Sequence, residues 1–219
     1  MEWKTFRVHI QDGITENGLH TIRRAFVLVD YAHDGELRDG GKPYKDHPIE
    51  ATLDGYDIGE RDPETLAATV AHDVLESARK LGRPLTLENL EKKTDVATAC
   101  RISWMTKEGH DMFSRSDHWK NFLACKDRKT FKAKCYDRLN NVKSFDDMKP
   151  KGKESKERRI KRKVTETVEV FSRVLAWLEA DVEVRSFKTK AERDAERHLI
   201  ANIRKAFNEG LAPYGARLR

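Results

Sequence analysis

Apolar residues recur at helical spacing along most of this chain. The clearest case begins near residue 17, where they lie three or four positions apart and predict a helix. Its apolar face is formed by Leu19, Ile22, Phe26 and Val29. Over residues 3–10, in contrast, apolar and polar residues alternate, which predicts a short N-terminal strand.

Turn and capping residues mark where the other helices begin and end. Asp62 followed by Pro63 is a typical helix start, and Gly82 and Pro84 predict its end, so one continuous helix is expected between them. Residues 34–48 are rich in glycine and proline and predict a loop. Further helices are predicted over 87–93, 95–106, from Ser116 after an interruption at Gly109, and over 127–147, 157–180 and 189–209.

The predicted fold is therefore nearly all-α, a helical bundle with at most a short strand or hairpin at the N-terminus. Residues 149–163 contain nine Lys or Arg and two acidic residues, which indicates an exposed basic segment. We expect a core domain over 1–148, a basic linker over 149–157, and C-terminal helices over 158–219 that pack on the same domain.

Composition narrows the possible functions. The net charge of +6 favours anionic ligands such as nucleotides, nucleic acid or acidic membranes. The sequence has neither a GxxxxGK[ST] phosphate loop nor a GxGxxG motif, which argues against kinases and dehydrogenases. It also has no apolar run of the length that a signal peptide or membrane helix requires, so no membrane association is expected. Three cysteines without a CxxC motif fit a reducing cytoplasm.

Five potential metal-binding or catalytic residues lie in or beside apolar helical segments: His47, His72, Asp73, Glu76 and Asp137. Charged groups in such places are usually paired or bound to a metal. Imidazole and carboxylate donors together suit Mn²⁺, Fe²⁺, Co²⁺ or Zn²⁺, and such a metal can activate water and polarise a phosphoryl oxygen. Glu76 follows the His-Asp pair by one helical turn and is a candidate base for the attacking water.

Each of these residues also has a structural interpretation. The His72-Asp73 pair alone could cap a helix or form a salt bridge, His47 could simply occupy a turn, and Asp137 could pair with Arg138 on the surface. The combination of all of them favours a metal site, because burying several unpaired charged groups without a compensating partner is unfavourable.

Four segments, in order, resemble the motifs of RelA/SpoT-type HD-domain (p)ppGpp hydrolases, the alarmone hydrolases of the stringent response. Residues 31–50 resemble A-H-x-G-Q-x-R-K-x-G-x-P-Y-x-x-H-P, and residues 65–77 resemble A-A-L-L-H-D-V-V-E-D-T. Residues 134–142 resemble K-L-A-D-R-L-x-N-x, and residues 104–107 fall where the family has V-T-K. Among these proteins, the chain is most similar to the stand-alone small alarmone hydrolases.

This resemblance implies hydrolysis of ppGpp or pppGpp to pyrophosphate and GDP or GTP, at a single metal ion that is usually Mn²⁺. The implied metal ligands are His47, His72, Asp73 and Asp137. The implied catalytic positions are Glu76 and Ser77. The implied substrate-binding residues are Arg38, which would stack on guanine, together with Lys134, Asn141, Lys42 and Lys45. His33 matches the first histidine of the motif and is not assigned to the metal.

Two departures from the motifs keep other functions open. Ser77 replaces an acidic residue thought to help catalysis, and Asp39 replaces a lysine. An alternative is therefore an HD phosphohydrolase of another nucleotide, such as NADPH at its 2′-phosphate, a dNTP or a signalling nucleotide. A non-catalytic module that binds nucleotides or nucleic acid is a further alternative. For the basic segment we favour an ordinary solvated linker over nucleic-acid binding.

Overall fold

In the computed structural model, residues 1–107 and 112–219 are described, with side chains from 117 onward in the latter part. Within these residues there is no β-strand, and isolated bridges join Leu37 to Pro43 and Lys151 to Glu154. The helices are α1 (Trp3–Ile10), α2 (Glu16–His33), α3 (Asp46–Ile58), α4 (Pro63–Val70), α5 (Val74–Lys80), α6 (Leu87–Lys93), α7 (Val96–Met105), α8 (Met112–Ala124), α9 (Arg128–Lys143), α10 (Lys156–Val184) and α11 (Lys190–Leu211). The predicted all-α class is confirmed.

The N-terminal segment is a helix, so the predicted strand over residues 3–10 is wrong. Phe6 and Ile10 are fully buried, whereas Val8 between them is 65% exposed. A spacing of four residues places Phe6 and Ile10 on one helical face, and this face packs into the core, with Phe6 5.1 Å from Phe26 between ring centroids. Tertiary burial of this face selects the helix over the alternating pattern.

The helix predicted between Pro63 and Leu81 is interrupted. Helix α4 ends at Val70, α5 begins at Val74, and a three-residue turn separates them. The imidazole of His72 donates from Nδ1 to the Thr69 carbonyl at 2.7 Å. This bond occupies an acceptor that a continuous helix would use for its backbone ladder, so the turn places His72 and Asp73 at a helix junction.

The chain divides into two compact units, Met1–Asp137 and Arg138–Arg219, with the boundary inside α9. In the first unit, α2 packs against α4 and α5, and α3 packs against α4. Its core contains fully buried side chains on several helices, including Phe6, Ile22, Leu66, Val70 and Ile102. These packed helices hold the ends of α3 and α4 together, where the candidate metal ligands lie.

In the second unit, α10 packs against α11, with Phe171 and Phe207 ring centroids 5.3 Å apart. Ser155 caps α10, and its hydroxyl accepts a hydrogen bond from the Arg158 amide. The division into a 1–148 core, a linker and packed C-terminal helices stays a prediction. None of the described helices is long and apolar enough to span a bilayer. The predicted interruption at Gly109 lies outside the described residues.

Candidate metal centre

Three predicted ligands come together although they are distant in sequence. His47 lies in the first turn of α3, and His72 and Asp73 lie in the turn between α4 and α5. Each offers a ligand atom within 4.8 Å of the others, and both histidines are buried. Two imidazoles and a carboxylate at this spacing form a set of donors that suits a divalent transition metal.

Asp137 brings a second carboxylate to the same cluster from α9. Its Oδ1 lies 3.0 Å from His47 Nε2 and 3.3 Å from His72 Nε2. Its Oδ2 is 2.7 Å from the ammonium of Lys134, one turn earlier on α9. Lys134 thus holds one oxygen of Asp137 and leaves the other directed toward the imidazoles.

The orientation of His72 provides a test of whether a cation fits. Its Nδ1 donates to the Thr69 carbonyl, which is a common way to orient a metal-binding histidine with Nε2 free. Nε2 is fully buried and lies 3.1 Å from Asp73 Oδ2, yet it has no hydrogen-bond partner of acceptable geometry among the described residues. A buried nitrogen facing two carboxylates is stable when a proton or a metal ion occupies the space between them.

The electrostatics of the cluster agree with this arrangement. Burial lowers the pKa of His72, but Asp73 and Asp137 outweigh it and raise that pKa to about 10. Burial also raises the pKa of Asp137, and the charges of Lys134 and His72 more than offset it, so that pKa lies well below its usual range. Without a metal, His72 is therefore an imidazolium between carboxylates, and a metal ion would replace its proton.

Tyr44 supports Asp73 from the loop before α3. Its hydroxyl donates to Asp73 Oδ2 at 2.6 Å. Burial, followed by the charge of Asp73, raises the pKa of Tyr44 well above its ordinary value, so it remains a neutral donor. Sequence reasoning gave this tyrosine no role, although the resembled motif carries a tyrosine at the same position.

The predicted catalytic positions lie in the first turn of α5. Glu76 is half-buried, and its carboxylate has no hydrogen bond or ion pair within the described part of the chain. Ser77 is buried, and its side chain contributes to lowering the pKa of Glu36. Glu76 thus remains available to another group, whereas Ser77 is engaged in a contact that the sequence did not predict.

A second buried polar cluster lies beside the metal ligands. Glu36 accepts hydrogen bonds from Lys80 at 2.6 Å and from the Nδ1 of His33 at 3.2 Å. The His33 ring stacks on Tyr44, with ring centroids 5.0 Å apart. Glu36 was missed in the sequence because a glutamate in a polar, glycine-rich loop looks like an exposed residue.

The predicted substrate-binding residues have different environments. Arg38 and Lys42 lie in a tight loop, with the Arg38 amide donating to the Lys42 carbonyl at 2.9 Å; Arg38 is half-buried and Lys42 is exposed. Lys45 is paired with Asp30 at 3.0 Å. Lys134 is buried against Asp137, and half-buried Asn141 belongs to the second unit.

Two curated proteins that are similar to this chain are named for (p)ppGpp synthesis or hydrolysis. SpoT of Escherichia coli K12, a bifunctional (p)ppGpp synthase/hydrolase, is 26% identical over 170 residues, which are 74% of this chain and 22% of that protein. A probable guanosine-3′,5′-bis(diphosphate) 3′-pyrophosphohydrolase of Synechocystis is 30% identical over 158 residues, 69% of this chain and 19% of that protein. No family model matches.

The resemblance to the RelA/SpoT-type hydrolases is confirmed. The chain spans about a fifth of the length of the curated relatives it matches. A solved structure of a metazoan SpoT ortholog, described as hydrolysing ppGpp and acting in starvation responses, has a TM-score of 0.62 and 18% identity. The structural match covers 89% of this chain and 96% of the ortholog's chain, which confirms the predicted HD-type helical fold.

Among the RelA/SpoT-type features, the HD pair and its partners are present and brought together here, whereas two motif positions differ. Asp39 stands in the loop that contains Arg38 and Lys42, and Ser77 stands behind Glu76 on α5. Both are neighbours of predicted functional residues in the sequence, and the Ser77 amide donates to the carbonyl of the predicted ligand Asp73 at 2.9 Å.

Proposed function

We propose that this chain is a metal-dependent (p)ppGpp 3′-pyrophosphohydrolase. The observation that carries the proposal is the convergence of His47, His72, Asp73 and Asp137, in a chain whose relatives are named for this reaction. Water would attack the phosphorus that is attached to the 3′ oxygen. The bond between this phosphorus and the 3′ oxygen would break, and the 3′ oxygen would take a proton. The products are pyrophosphate and GDP or GTP.

His47, His72, Asp73 and Asp137 would hold the metal, which we propose to be Mn²⁺. Such an ion supplies Lewis-acid chemistry, lowering the pKa of water and polarising a phosphoryl oxygen. The chain itself fixes the donors. Thr69 sets the tautomer of His72, Tyr44 holds Asp73, and Lys134 holds Asp137.

Glu76 would position and deprotonate the attacking water. The support is its place at the start of α5, three residues after Asp73, with a carboxylate that is half-buried and not engaged by another described residue. A general base must be free to accept a proton, and a carboxylate already used in an ion pair is not. Ser77, the other predicted catalytic position, would act through its neighbours because it is buried and lowers the pKa of Glu36.

Cationic and polar side chains would bind the nucleotide. Arg38 and Lys42 are the strongest candidates, since both lie in one tight loop. Lys42 is exposed, and its ammonium has no ion pair among the described residues. Lys45 would first have to leave Asp30. Lys134 would contribute mainly by holding Asp137, and Asn141 is carried four residues further along α9.

A different nucleotide is the second candidate substrate. Asp39 puts a negative charge beside Arg38, where the resembled motif has a lysine, and this charge would oppose a ligand with two diphosphate groups. NADPH, a dNTP or a signalling nucleotide would place phosphate differently in the same metal site. A nucleic-acid-binding role is less favoured, since Arg162 in the basic segment is engaged with Glu154 at 2.9 Å. We also predict a cytoplasmic location, consistent with three free cysteines.

The test is release of pyrophosphate or phosphate from ppGpp, pppGpp, NADPH and dNTPs, in Mn²⁺ and in EDTA. Mn²⁺-dependent pyrophosphate release from ppGpp supports the proposal. If only a different nucleotide is hydrolysed, the proposed metal site stands and the proposed substrate is wrong. If no nucleotide of the panel is hydrolysed, the proposed hydrolytic function is wrong. Asp73→Ala should lose bound metal and turnover. Glu76→Ala should keep the metal and lose turnover, whereas a full rate in that variant would remove Glu76 from the mechanism.

A further inference from the structure

Glu36 is a buried carboxylate that is not one of the proposed metal ligands. Its side chain is 4% exposed. Two donors lie within hydrogen-bond distance of it: the Lys80 ammonium at 2.6 Å and the Nδ1 of His33 at 3.2 Å. Burial raises the pKa of Glu36, but the interactions with Lys80, Ser77 and His33 outweigh burial and lower it overall, so the group is ionised. These donors hold the buried carboxylate in place.

An ionised Glu36 determines which nitrogen of His33 carries the proton. Burial lowers the pKa of His33, so its imidazole is neutral and has one N–H. The carboxylate stabilises that proton on Nδ1, because a carboxylate accepts and does not donate. Nε2 is therefore left as an acceptor, and within the described residues this buried atom has no hydrogen-bond partner.

His33 lies close to the metal centre without being one of its assigned ligands. Its ring stacks on Tyr44, which donates to Asp73. The charge of Asp73 raises the pKa of His33 and the charge of His72 lowers it, so the ring interacts electrostatically with two of the proposed ligands. A buried acceptor nitrogen at this place suits a hydrogen-bond donor that enters with water or substrate.

Positions 36 and 77 both differ from the resembled motifs. The resembled motifs have glutamine where this chain has Glu36, and aspartate where it has Ser77. In this chain, the Ser77 side chain contributes to lowering the pKa of Glu36. The pair therefore keeps one carboxylate and one neutral polar group, with the carboxylate moved from α5 to the loop after α2.

We propose that Glu36 is a positioning residue for hydrolysis that holds His33 with Nε2 as an acceptor toward the reacting groups. This proposal rests on the proposed function for its kinetic consequence. Its structural part, the control of the His33 tautomer by Glu36, is independent of which nucleotide is hydrolysed.

Substitutions at positions 36 and 77 give a cycle of three variants with distinct expectations. Glu36→Gln replaces a charged acceptor with a neutral one, and we expect the His33 tautomer ratio to move about fivefold toward Nε2–H and kcat to fall about tenfold. Ser77→Asp places a second carboxylate against Glu36, so we expect kcat to fall and not to rise. In the double variant residue 77 no longer faces a carboxylate, so kcat should exceed the product of the two single effects, whereas the tautomer ratio should stay shifted because residue 36, which contacts His33 Nδ1, is still an amide.

The tautomer is read from long-range ¹H–¹⁵N spectra of histidine-labelled full-length protein loaded with diamagnetic Zn²⁺, with the His33 signals assigned from His33→Gln. The kinetic cycle is measured with Mn²⁺ and ppGpp, separating kcat from KM. Glu60→Gln is the matched control, because it removes another buried carboxylate, one held by Lys132 and Tyr136. It should lower the melting temperature as Glu36→Gln does and leave the His33 signals unchanged.

The proposal is overturned if Glu36→Gln leaves the tautomer ratio unchanged, if Ser77→Asp alone raises kcat, or if the double variant is no better than the product of the single effects. Should the original protein leave ppGpp intact, the function proposed above fails. The tautomer measurement still decides in that case: a shift toward Nε2–H in Glu36→Gln that Glu60→Gln does not show supports the role of Glu36, and its absence rejects it.

Discussion

Removing the metal should reverse the pH dependence of stability. In the metal-free protein the neighbouring carboxylates overcome burial and raise the pKa of His72 from its ordinary 6.5 to about 10. A group whose pKa is raised on folding contributes stability that is fully present below its unfolded pKa and is lost as the pH rises through its folded pKa. Stability of the metal-free protein should therefore decrease from pH 6.5 toward pH 10.

The size of this effect follows from the same two values. A pKa of about 10 against 6.5 corresponds to an upper bound of about 5 kcal/mol, lost at about 1.4 kcal/mol per pH unit. His72 is fully buried, so solvent does not screen the interaction. With Mn²⁺ the sign is opposite, because the ion competes with the proton on Nε2 and binds more tightly as the pH rises.

The assay is urea denaturation at several values from about pH 6.5 to about pH 8.5, in EDTA and in saturating Mn²⁺, a range in which the two curves should diverge by several kcal/mol. This range also avoids His33, whose lowered pKa affects stability below its ordinary value of 6.5. The control is His20→Gln, which removes an exposed histidine on α2 and should keep both slopes. His72→Gln should flatten the EDTA curve. Equal EDTA slopes in His72→Gln and the original protein would refute the reasoning.

Three further predictions concern single side chains. Tyr44→Phe removes the donor to Asp73 and should weaken Mn²⁺ affinity about tenfold without unfolding the protein, as isothermal calorimetry and melting would show; unchanged affinity would deny Tyr44 this role. Lys132→Met leaves the buried Glu60 carboxylate without its ion pair and should reduce unfolding free energy by about 3–5 kcal/mol, measured in urea, and a loss below 1 kcal/mol would contradict this. Arg38→Ala should raise KM for the nucleotide more than it lowers kcat, and the reverse pattern would place Arg38 in the chemical step.

Much of the fold could be predicted from local sequence. The Asp62-Pro63 start of α4 and the Thr86 cap of α6 are formed as expected, because their capping side chains bond amides three residues away. The N-terminal strand was predicted wrongly because the local sequence pattern there fits both a strand and a helix. Phe6 and Ile10 satisfy both strand and helix periodicity, and packing against Phe26 decided between them.

Residue types and their spacing were sufficient to identify the residues that can bind a metal. His47, the His72-Asp73 pair and Asp137 could be chosen because charged groups in apolar helices need a compensating partner, and the order of the motifs pointed to one family. The sequence also indicated where the motifs change, at Asp39 and Ser77. These are statements about residue type and spacing, which a linear chain contains in full.

Which of these groups contact one another depends on how the helices pack. The turn at His72 forms because its imidazole takes the Thr69 carbonyl, and no periodicity predicts that break. Glu36 and Lys80 are 44 positions apart in sequence, yet the Lys80 ammonium donates to the buried Glu36 carboxylate at 2.6 Å. Buried polar groups must be satisfied by whatever the fold brings near them, so their partners are a property of packing and not of the local sequence.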